Sequence, residues 1–529
     1  MEAVARSGSV AGAGEDSTGE RALVFVGFMG AGKSSAARAA AAELDAEAVD
    51  SDRELEHELG EPLESFFDRE GEAAFREREE AVATRLLERP GLRVAALGGG
   101  TLQSEAVRRA LERHVVVYLD VGTDEAWRRA SREGRPLARE RERFEDLHRD
   151  RRSLYESAAD AFLPPGERDV VRRALPSLVR LRAADRSAGM RLVWAHAASG
   201  DYPVFAGRGL LASGFFEPRD RRRFLVTDRA VARLQGRVAD AVEDVGRAVL
   251  PPGETEKRLG RAEEVLRDMA SAEVERGDLV VALGGGVVGD LAGFCAAVYQ
   301  RGIAWVGVPT TLVAQVDSAY GGKTGVDLPE GKNYAGAYHQ PASVLVDPAM
   351  LETLPAEERA AGYAEVVKTA LIAGGGLWAS VRRGGAPDDD VVLGCLRTKL
   401  AVVAQDERDG GRRQVLNLGH TVAHALEVAT GYARLRHGEA VGIGLLCALR
   451  LSERESVRTE VADLLAVAGL PLRVGGVDPD AVVALVRRDK KRRGGSVPFV
   501  LLESPGAVTP GHELPDADVR AAVSEVVTP

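Results

Sequence analysis

Short unbroken apolar runs punctuate the first third of the chain, at 22–26 (ALVFV), 93–97 (RVAAL) and 115–119 (VVVYL). Runs of this length without polar alternation predict strands buried on both faces. Helical periodicity fills the gaps, beginning with an Ala-rich segment over 33–44. Strands alternating with helices imply a parallel α/β sheet. The pattern fades over 175–190, where RAADRSAGM reads as a linker, and restarts with RLVWAH and YPVFAGRGLL. New strands are predicted at 223–227, 279–283 and 304–308, again interleaved with helices. From about 350 onward the periodicity is mainly helical, with helices predicted at 357–371, 391–405, 419–430 and 438–453. The chain therefore divides into a disordered leader (1–20), an α/β domain (21–182), a linker (183–190), a second α/β domain (191–345) and a helical domain (346–529). No internal repeat links the two α/β units.

Composition narrows the class. The 529 residues are 45% hydrophobic and 29% charged, as in globular proteins, and carry a net charge of −11. That charge argues against a general nucleic-acid binder, so anionic small molecules would need local basic pockets. Only three cysteines occur, Cys295, Cys395 and Cys447, far apart in sequence, which speaks against a disulfide framework and for a reducing cytoplasm. No apolar run is long enough to span a bilayer, and the first twenty residues have no apolar core of a secretory signal.

Two glycine-rich loops follow predicted strands. The first, Gly27-Phe-Met-Gly30-Ala-Gly32-Lys33-Ser34, fits G-x-x-x-x-G-K-[ST] at every fixed position. Glycines let backbone N–H groups crowd round phosphate oxygens, Lys33 can reach the β- and γ-phosphates, and the Ser34 hydroxyl suits Mg²⁺. The later Gly322-Lys323-Thr324 is not such a loop, because position 317 is Asp. Asp50-Ser51-Asp52, read on a strand end, places two carboxylates on one face, for Mg²⁺ or a substrate hydroxyl; an acidic helix start is the plainer reading. Arg76, the Gly98–Gly100 run and Arg135 in a basic stretch complete the candidates. The second loop, Gly284-x-Gly286-x-x-Gly289-Asp290, suits a dinucleotide pyrophosphate. Three of the nine histidines, His420, His424 and His437, fall within eighteen positions. Spacing alone offers His420 and His424, at i and i+4, as a cation pair.

The ordered set GFMGAGKS, DSD, GEAAFR, GGG, RPL and RRSLY resembles shikimate kinase over residues 21–175. The resemblance implies that Gly27, Gly30, Gly32, Lys33, Ser34 and Ser35 serve ATP, with Ser34 and Asp50 at Mg²⁺ and Arg129 on adenine. Asp52, Arg76, Gly99, Gly100, Arg135 and Arg151 would hold shikimate, with Lys33, Asp52 and Arg135 catalytic. Ser153 replaces the usual proline before Leu154, and the segment between Arg129 and Arg135 is slightly short. Gluconate-type kinases share the loop but not this arginine set.

The segments GGGVVGDLAGFCAAVYQRG, VPTTLVAQVDSAYGGKTGVD, GKNYAGAYHQP, AEVVK and LNLGHTVAHALE resemble 3-dehydroquinate synthase over about 191–515. That resemblance implies NAD⁺ contacts from Asp228, Glu254, Lys257, Gly286, Val287, Val288, Gly289, Asp290, Thr310, Thr311, Lys323 and Lys332. It implies Zn²⁺ or Co²⁺ on Glu365, His420 and His437, with His424 beside the substrate instead. The substrate group would be Arg301, Asp317, Asn333, Lys368, Lys399, Arg413, Asn417, His424, Lys490 and Lys491, with Lys323, Lys368, Asp409, Arg413, Asn417 and His424 catalytic. Asp409 stands where Glu is common, and Asp228 precedes Arg-Ala where Asn-Val is usual. The expected fold class is α/β throughout: a P-loop NTPase-type parallel sheet, then a Rossmann-like α/β domain, then a mainly α-helical domain. A bifunctional cytoplasmic enzyme with small-molecule substrates follows, with no nucleic-acid or membrane partner and a possible homodimer through the synthase half. The alternatives are a metal-dependent NAD dehydrogenase, a sugar-phosphate cyclase making another ring, and a half that serves only as a scaffold or regulatory module. The two implied reactions are not consecutive, so direct hand-over of product is not expected.

Overall fold

The computed structural model describes residues 21–132, 138, 140–165, 168–185, 189–487 and 498–529. Two compact units emerge, one up to Ala159 with Pro165–Arg172, the other Asp160–Pro164 with Arg173–Pro529. The elements of the first unit are β1 (Leu23–Val26), α1 (Lys33–Glu43), β2 (Ala48–Asp50), α2 (Ser51–Leu59), α3 (Leu63–Leu87), β3 (Val94–Ala96), α4 (Glu105–Leu111), β4 (Val115–Leu119), α5 (Thr123–Arg132) and α6 (Arg141–Ala158). Its strands run parallel in the order β2-β3-β1-β4. Leu23, Val24 and Phe25 are fully buried, which is why the run is apolar without alternation. β1 is the central strand from which the phosphate loop leads into α1.

The second unit begins with β5 (Ala161–Leu163), and α7 (Arg168–Ala183) is the next helix in the chain. Next come β6 (Arg191–Ala197), β7 (Gly200–Ala206), β8 (Arg223–Asp228), α8 (Arg229–Leu234), α9 (Gly236–Ala241), β9 (Gly246–Leu250), α10 (Leu259–Ser271), β10 (Leu279–Gly284), α11 (Gly286–Val298) and β11 (Ala304–Pro309). A hairpin of β12 (Lys323–Leu328) and β13 (Gly331–Tyr338) leads to β14 (Ser343–Val346). β7, β14, β11, β10, β8 and β9 pair in that order, all parallel, while β6 joins β7 antiparallel. Phe224, Val226, Val280, Leu291 and Trp305 share one core between this sheet and the α10–α11 layer.

The remainder holds α12 (Ala356–Ala373), α13 (Gly375–Arg382), α14 (Asp389–Gln405), α15 (His420–Ala429), α16 (His437–Leu451), α17 (Glu455–Val467), β15 (Val474–Gly475), α18 (Pro479–Arg487), β16 (Phe499–Ser504), β17 (Ala507–His512), α19 (Asp516–Val526) and β18 (Val527–Thr528). The β16–β17 hairpin was not foreseen by the helical periodicity. Two glycines on α16 set the helix packing. A Cβ on Gly438 would lie 1.8 Å from the Ala361 carbonyl oxygen, and one on Gly444 would lie 2.1 Å from that of Gly419. Only glycine permits such approach, and it draws the start of α16 against the early turns of α12 and the start of α15 against the middle of α16.

Candidate active sites

In the first unit the phosphate loop closes on itself. Gly27, Gly30 and Gly32 all have positive φ, and Gly32 caps α1 with no side-chain acceptor, leaving its first N–H groups for an anion. Lys33 Nζ donates to the Phe28 carbonyl at 3.2 Å, so the ammonium lies back over the loop. Ser34 and Ser35 follow in the first turn of α1, half-buried. Arg129 Nη1 donates to the Gly30 carbonyl at 3.3 Å and pairs with Glu125, which sets it beside the loop. Asp50 and Asp52 do not share a strand face. The strand stops at Asp50, whose Oδ1 accepts the Asp52 N–H at 3.1 Å and caps α2. The acidic helix start is what forms, because an aspartate at the cap satisfies an otherwise orphan donor.

Around Asp52 the expected shikimate group gathers. Cβ atoms built on Gly98 and Gly100 would lie 2.5 Å from Asp52 Oδ1 and 2.0 Å from Arg76 Nη1. Buried Arg151 donates to the Gly99 carbonyl at 3.1 Å. Arg135 lies outside the described residues. Two partners went unnamed in the sequence. Glu79, buried, holds Arg76 at 2.6 Å; burial pushes its carboxyl up, and Arg76 opposes this only in part. Ser51 Oγ accepts the Gly98 N–H at 2.8 Å and ties the acidic turn to the glycine run. The i,i+3 spacing of Arg76 and Glu79 was the available signal.

In the second unit the carboxyl ends of β8, β10 and β11 open onto a cavity of about 1100 Å³. Its lining includes Asp228, Glu254, Lys257, Gly286, Val287, Val288, Asp290, Thr310, Thr311, Asp317, Lys332, Asn333, His424 and His437. Ligands of parallel sheets bind at these strand ends. Asp228 Oδ1 is already committed to capping α8, accepting from Ala230 and Val231 at 2.8 and 2.9 Å. Lys257 pairs with Asp290, both at the cavity wall. Buried hydroxyl oxygens of Thr310 and Ser318 there make no hydrogen bond among the described residues. Gly289 and Lys323 line a small recess that shares Gly286 and Asp290 with the cavity.

Where His437 and Asp317 line the cavity they join a buried charged core whose other members, Glu365, His420, Lys368 and Lys399, do not line it. Glu365, His420 and His437 place one ligand atom each within 4.8 Å of one another. His420 Nε2 and His437 Nε2 each lie 3.4 Å from Glu365 Oε1. A tetrahedral cation with bonds of about 2.0–2.1 Å separates its ligand atoms by roughly 3.4 Å, so the spacing fits Zn²⁺. The Glu365 carboxylate is buried and ion-paired with Lys368, and among the described residues neither oxygen accepts a hydrogen bond of good geometry. Burial pushes the Glu365 carboxyl up, but Lys368 and the two imidazoles outweigh it and hold it well below the usual range. His420 Nδ1 faces the Leu418 carbonyl at 3.3 Å, leaving Nε2 toward Glu365. The His424 ring centre lies 5.5 Å from that of His420, but His424 contributes no atom to this cluster, so the i,i+4 pair suggested by spacing alone is not the one the cluster uses.

Behind the cluster Asp317 receives two ammonium groups, Lys399 at 2.7 Å and Lys368 at 3.5 Å. Lys368 also pairs with Glu365, so two carboxylates outweigh its burial and raise it. At Lys399 burial outweighs the attraction of Asp317 and lowers it. Lys323 binds Asp409 at 2.8 Å. Arg413 is buried and donates to the carbonyls of Gly321 and Glu407. Arg301, Asp409, Arg413 and Asn417 do not line the cavity, and Lys490 and Lys491 lie outside the described residues.

The family models described as 3-dehydroquinate synthase N-terminal and C-terminal match residues 247–361 and 362–492. The 3-dehydroquinate synthase of Halorhodospira halophila is 42% identical over 355 residues, 64% of this chain and 100% of that protein. The chain belongs to the 3-dehydroquinate synthase family. The synthase of Bradyrhizobium diazoefficiens is 41% identical over 61% of this chain and 93% of its own length. A solved 2-epi-5-epi-valiolone synthase from Streptomyces hygroscopicus, with NAD⁺ and Zn²⁺ bound, matches at 27% identity and TM-score 0.57, over 61% of this chain and 96% of that one. The family model described as shikimate kinase matches residues 29–176. The synthase unit is therefore preceded by a shikimate kinase domain, and the two together are a kinase and a lyase of the shikimate pathway. Among the described residues no helix is long and apolar enough to cross a membrane.

Proposed function

We propose that the kinase domain transfers the γ-phosphoryl group of ATP to shikimate, giving shikimate 3-phosphate. We further propose that the synthase unit converts 3-deoxy-D-arabino-heptulosonate 7-phosphate to 3-dehydroquinate and phosphate. The observation that carries the second reading is the Glu365–His420–His437 cluster at the end of a dinucleotide-type cavity. The first rests on the phosphate loop beside a carboxylate-and-arginine pocket.

In the kinase, Lys33 binds the β- and γ-phosphates and Arg129 borders the adenine side. Ser34 and Asp50 would hold Mg²⁺, which supplies neutralisation of developing phosphate charge. Asp52 accepts the proton of the attacking hydroxyl. Arg76 and Arg151 grip the substrate carboxylate, and the Gly99–Gly100 backbone seats the ring. Arg135 would add a cation over the transferring group.

In the synthase, Glu365, His420 and His437 would hold Zn²⁺ or Co²⁺, which polarises a substrate oxygen when bound. Asp228, Glu254 and Lys332 would contact NAD⁺, a hydride acceptor returned to its starting state in each turnover. Lys368 and Lys399, buried behind Asp317 at the cavity wall, would supply positive charge toward the anionic substrate, and Lys399, lowered by burial, releases a proton more readily. His424 lines the cavity at a point where it can move a proton. Three buried free cysteines support a reducing cytoplasmic setting, and a homodimer through the synthase unit remains part of this reading. The test supplies the seven-carbon keto-acid phosphate with NAD⁺ and Zn²⁺. Phosphate release without net NADH is expected; accumulating NADH would mark an ordinary dehydrogenase and overturn the reading. The identity of 41–42% to dehydroquinate synthases favours this ring over that of the valiolone relative.

A further inference from the structure

α15 presents His420, His424 and Glu427 at i, i+4 and i+7, one stripe along its length. Two of the three have roles in the proposed chemistry; Glu427 has none. It is only 2% exposed, an unusual state for a carboxylate unless it is partnered. Its Oε1 lies 3.2 Å from His437 Nδ1 and 3.2 Å from Lys332 Nζ. His437 faces the cluster with its other nitrogen, 3.4 Å from Glu365. Lys332 continues to Glu254 at 3.3 Å and sits 4.8 Å from the centre of the Tyr432 ring. One carboxylate thus joins the cation end of the cavity to its dinucleotide wall.

The chemistry of imidazole makes this contact consequential. A neutral histidine carries one ring proton, and it ligates a cation through the nitrogen that lacks it. A carboxylate can only accept, so Glu427 draws the proton to Nδ1 and leaves the Nε2 lone pair facing Glu365 and His420. An amide in its place could donate to Nδ1 and shift the proton to Nε2, where ligation is blocked.

We propose that Glu427 is a positioning residue that fixes the ligating tautomer of His437 and anchors Lys332 at the dinucleotide wall. This rests on the reading of Glu365, His420 and His437 as a cation site. The test uses the full chain, wild type and Glu427→Gln, with Zn²⁺ affinity measured by competition against a chromophoric chelator. NAD⁺ affinity is measured by equilibrium binding, and folding by circular dichroism and thermal melting. The expected result is a folded variant with Zn²⁺ affinity about 10- to 100-fold weaker and weaker NAD⁺ binding. Excess Zn²⁺ should restore part of its synthase rate. Wild-type Zn²⁺ affinity in folded Glu427→Gln overturns the proposal alone. A wild-type protein that binds no Zn²⁺ overturns the cation site and the proposal together. If Glu427→Gln does not fold, Glu427→Asp replaces it. Aspartate keeps the charge and acceptor but shortens the reach, and unchanged Zn²⁺ and NAD⁺ affinities in that folded variant likewise overturn the proposal.

Discussion

The two sites are built in opposite ways. The kinase domain makes its anion site from backbone, within one contiguous loop between β1 and α1, and adds side chains from α2, α3 and α6 around it. The synthase unit makes its cation site from side chains of three helices, α12, α15 and α16, with buried charges balanced against one another. A backbone site depends on glycine conformation and is local in sequence. A side-chain site depends on helix packing and is scattered along the chain, with Glu365 and His437 on different helices. Each should therefore fail in its own way, and neither should damage the other.

The largest effect is expected at the scattered site. Glu365→Gln removes one of three cation ligands, and synthase kcat should fall by more than about 10³-fold, some 4 kcal/mol. Kinase activity should stay within about twofold, and a fall in both rates would break the separation. Lys33→Met is the mirror experiment. Loss of one preorganised cation at the phosphates should lower kinase kcat about 10²- to 10³-fold and leave phosphate release by the synthase unchanged.

Backbone dependence is sharpened by Gly100→Ala. The new methyl would fall 2.0 Å from Arg76 Nη1, and Arg76 is held by Glu79. Displacing the guanidinium by an ångström or more should reduce kcat/KM for shikimate about 10²-fold, read by coupled ADP release. The smallest effect belongs to Gly289→Ala. Beyond the helix's own backbone and the adjoining residues, no described atom lies within 4 Å of the new methyl, and the position is helical, so thermal stability should not fall. Because Gly289 faces the recess beside Gly286, NAD⁺ binding should weaken, by less than about tenfold. A lower melting temperature with unchanged NAD⁺ affinity would contradict that placement.

How much was legible follows from the same contrast. The phosphate loop, the strands at 115–119 and 279–283 and the helix over 391–405 were readable because each signal is contiguous. The Asp50–Asp52 turn was open between a strand end and an acidic helix start, since three residues cannot distinguish the two, and the helix start is the one that forms. The cation cluster could not be read from spacing: His420 and His424 offered the obvious pair, while Glu365 comes from another helix. Only the close approach permitted by Gly438 and Gly444 brings the three ligands together. Glu79 and Glu427 were hidden for a related reason. Each is an acid on a helix, indistinguishable in sequence from a solvated one until packing buries it.

The most direct measurement of the central claim is anomalous scattering at the zinc edge from crystals of the full chain grown with Zn²⁺ and NAD⁺. The account predicts one strong peak about 2.0–2.2 Å from a Glu365 oxygen and from Nε2 of both His420 and His437. A peak ligated by His424 in place of His437, or none at this cluster, would contradict it.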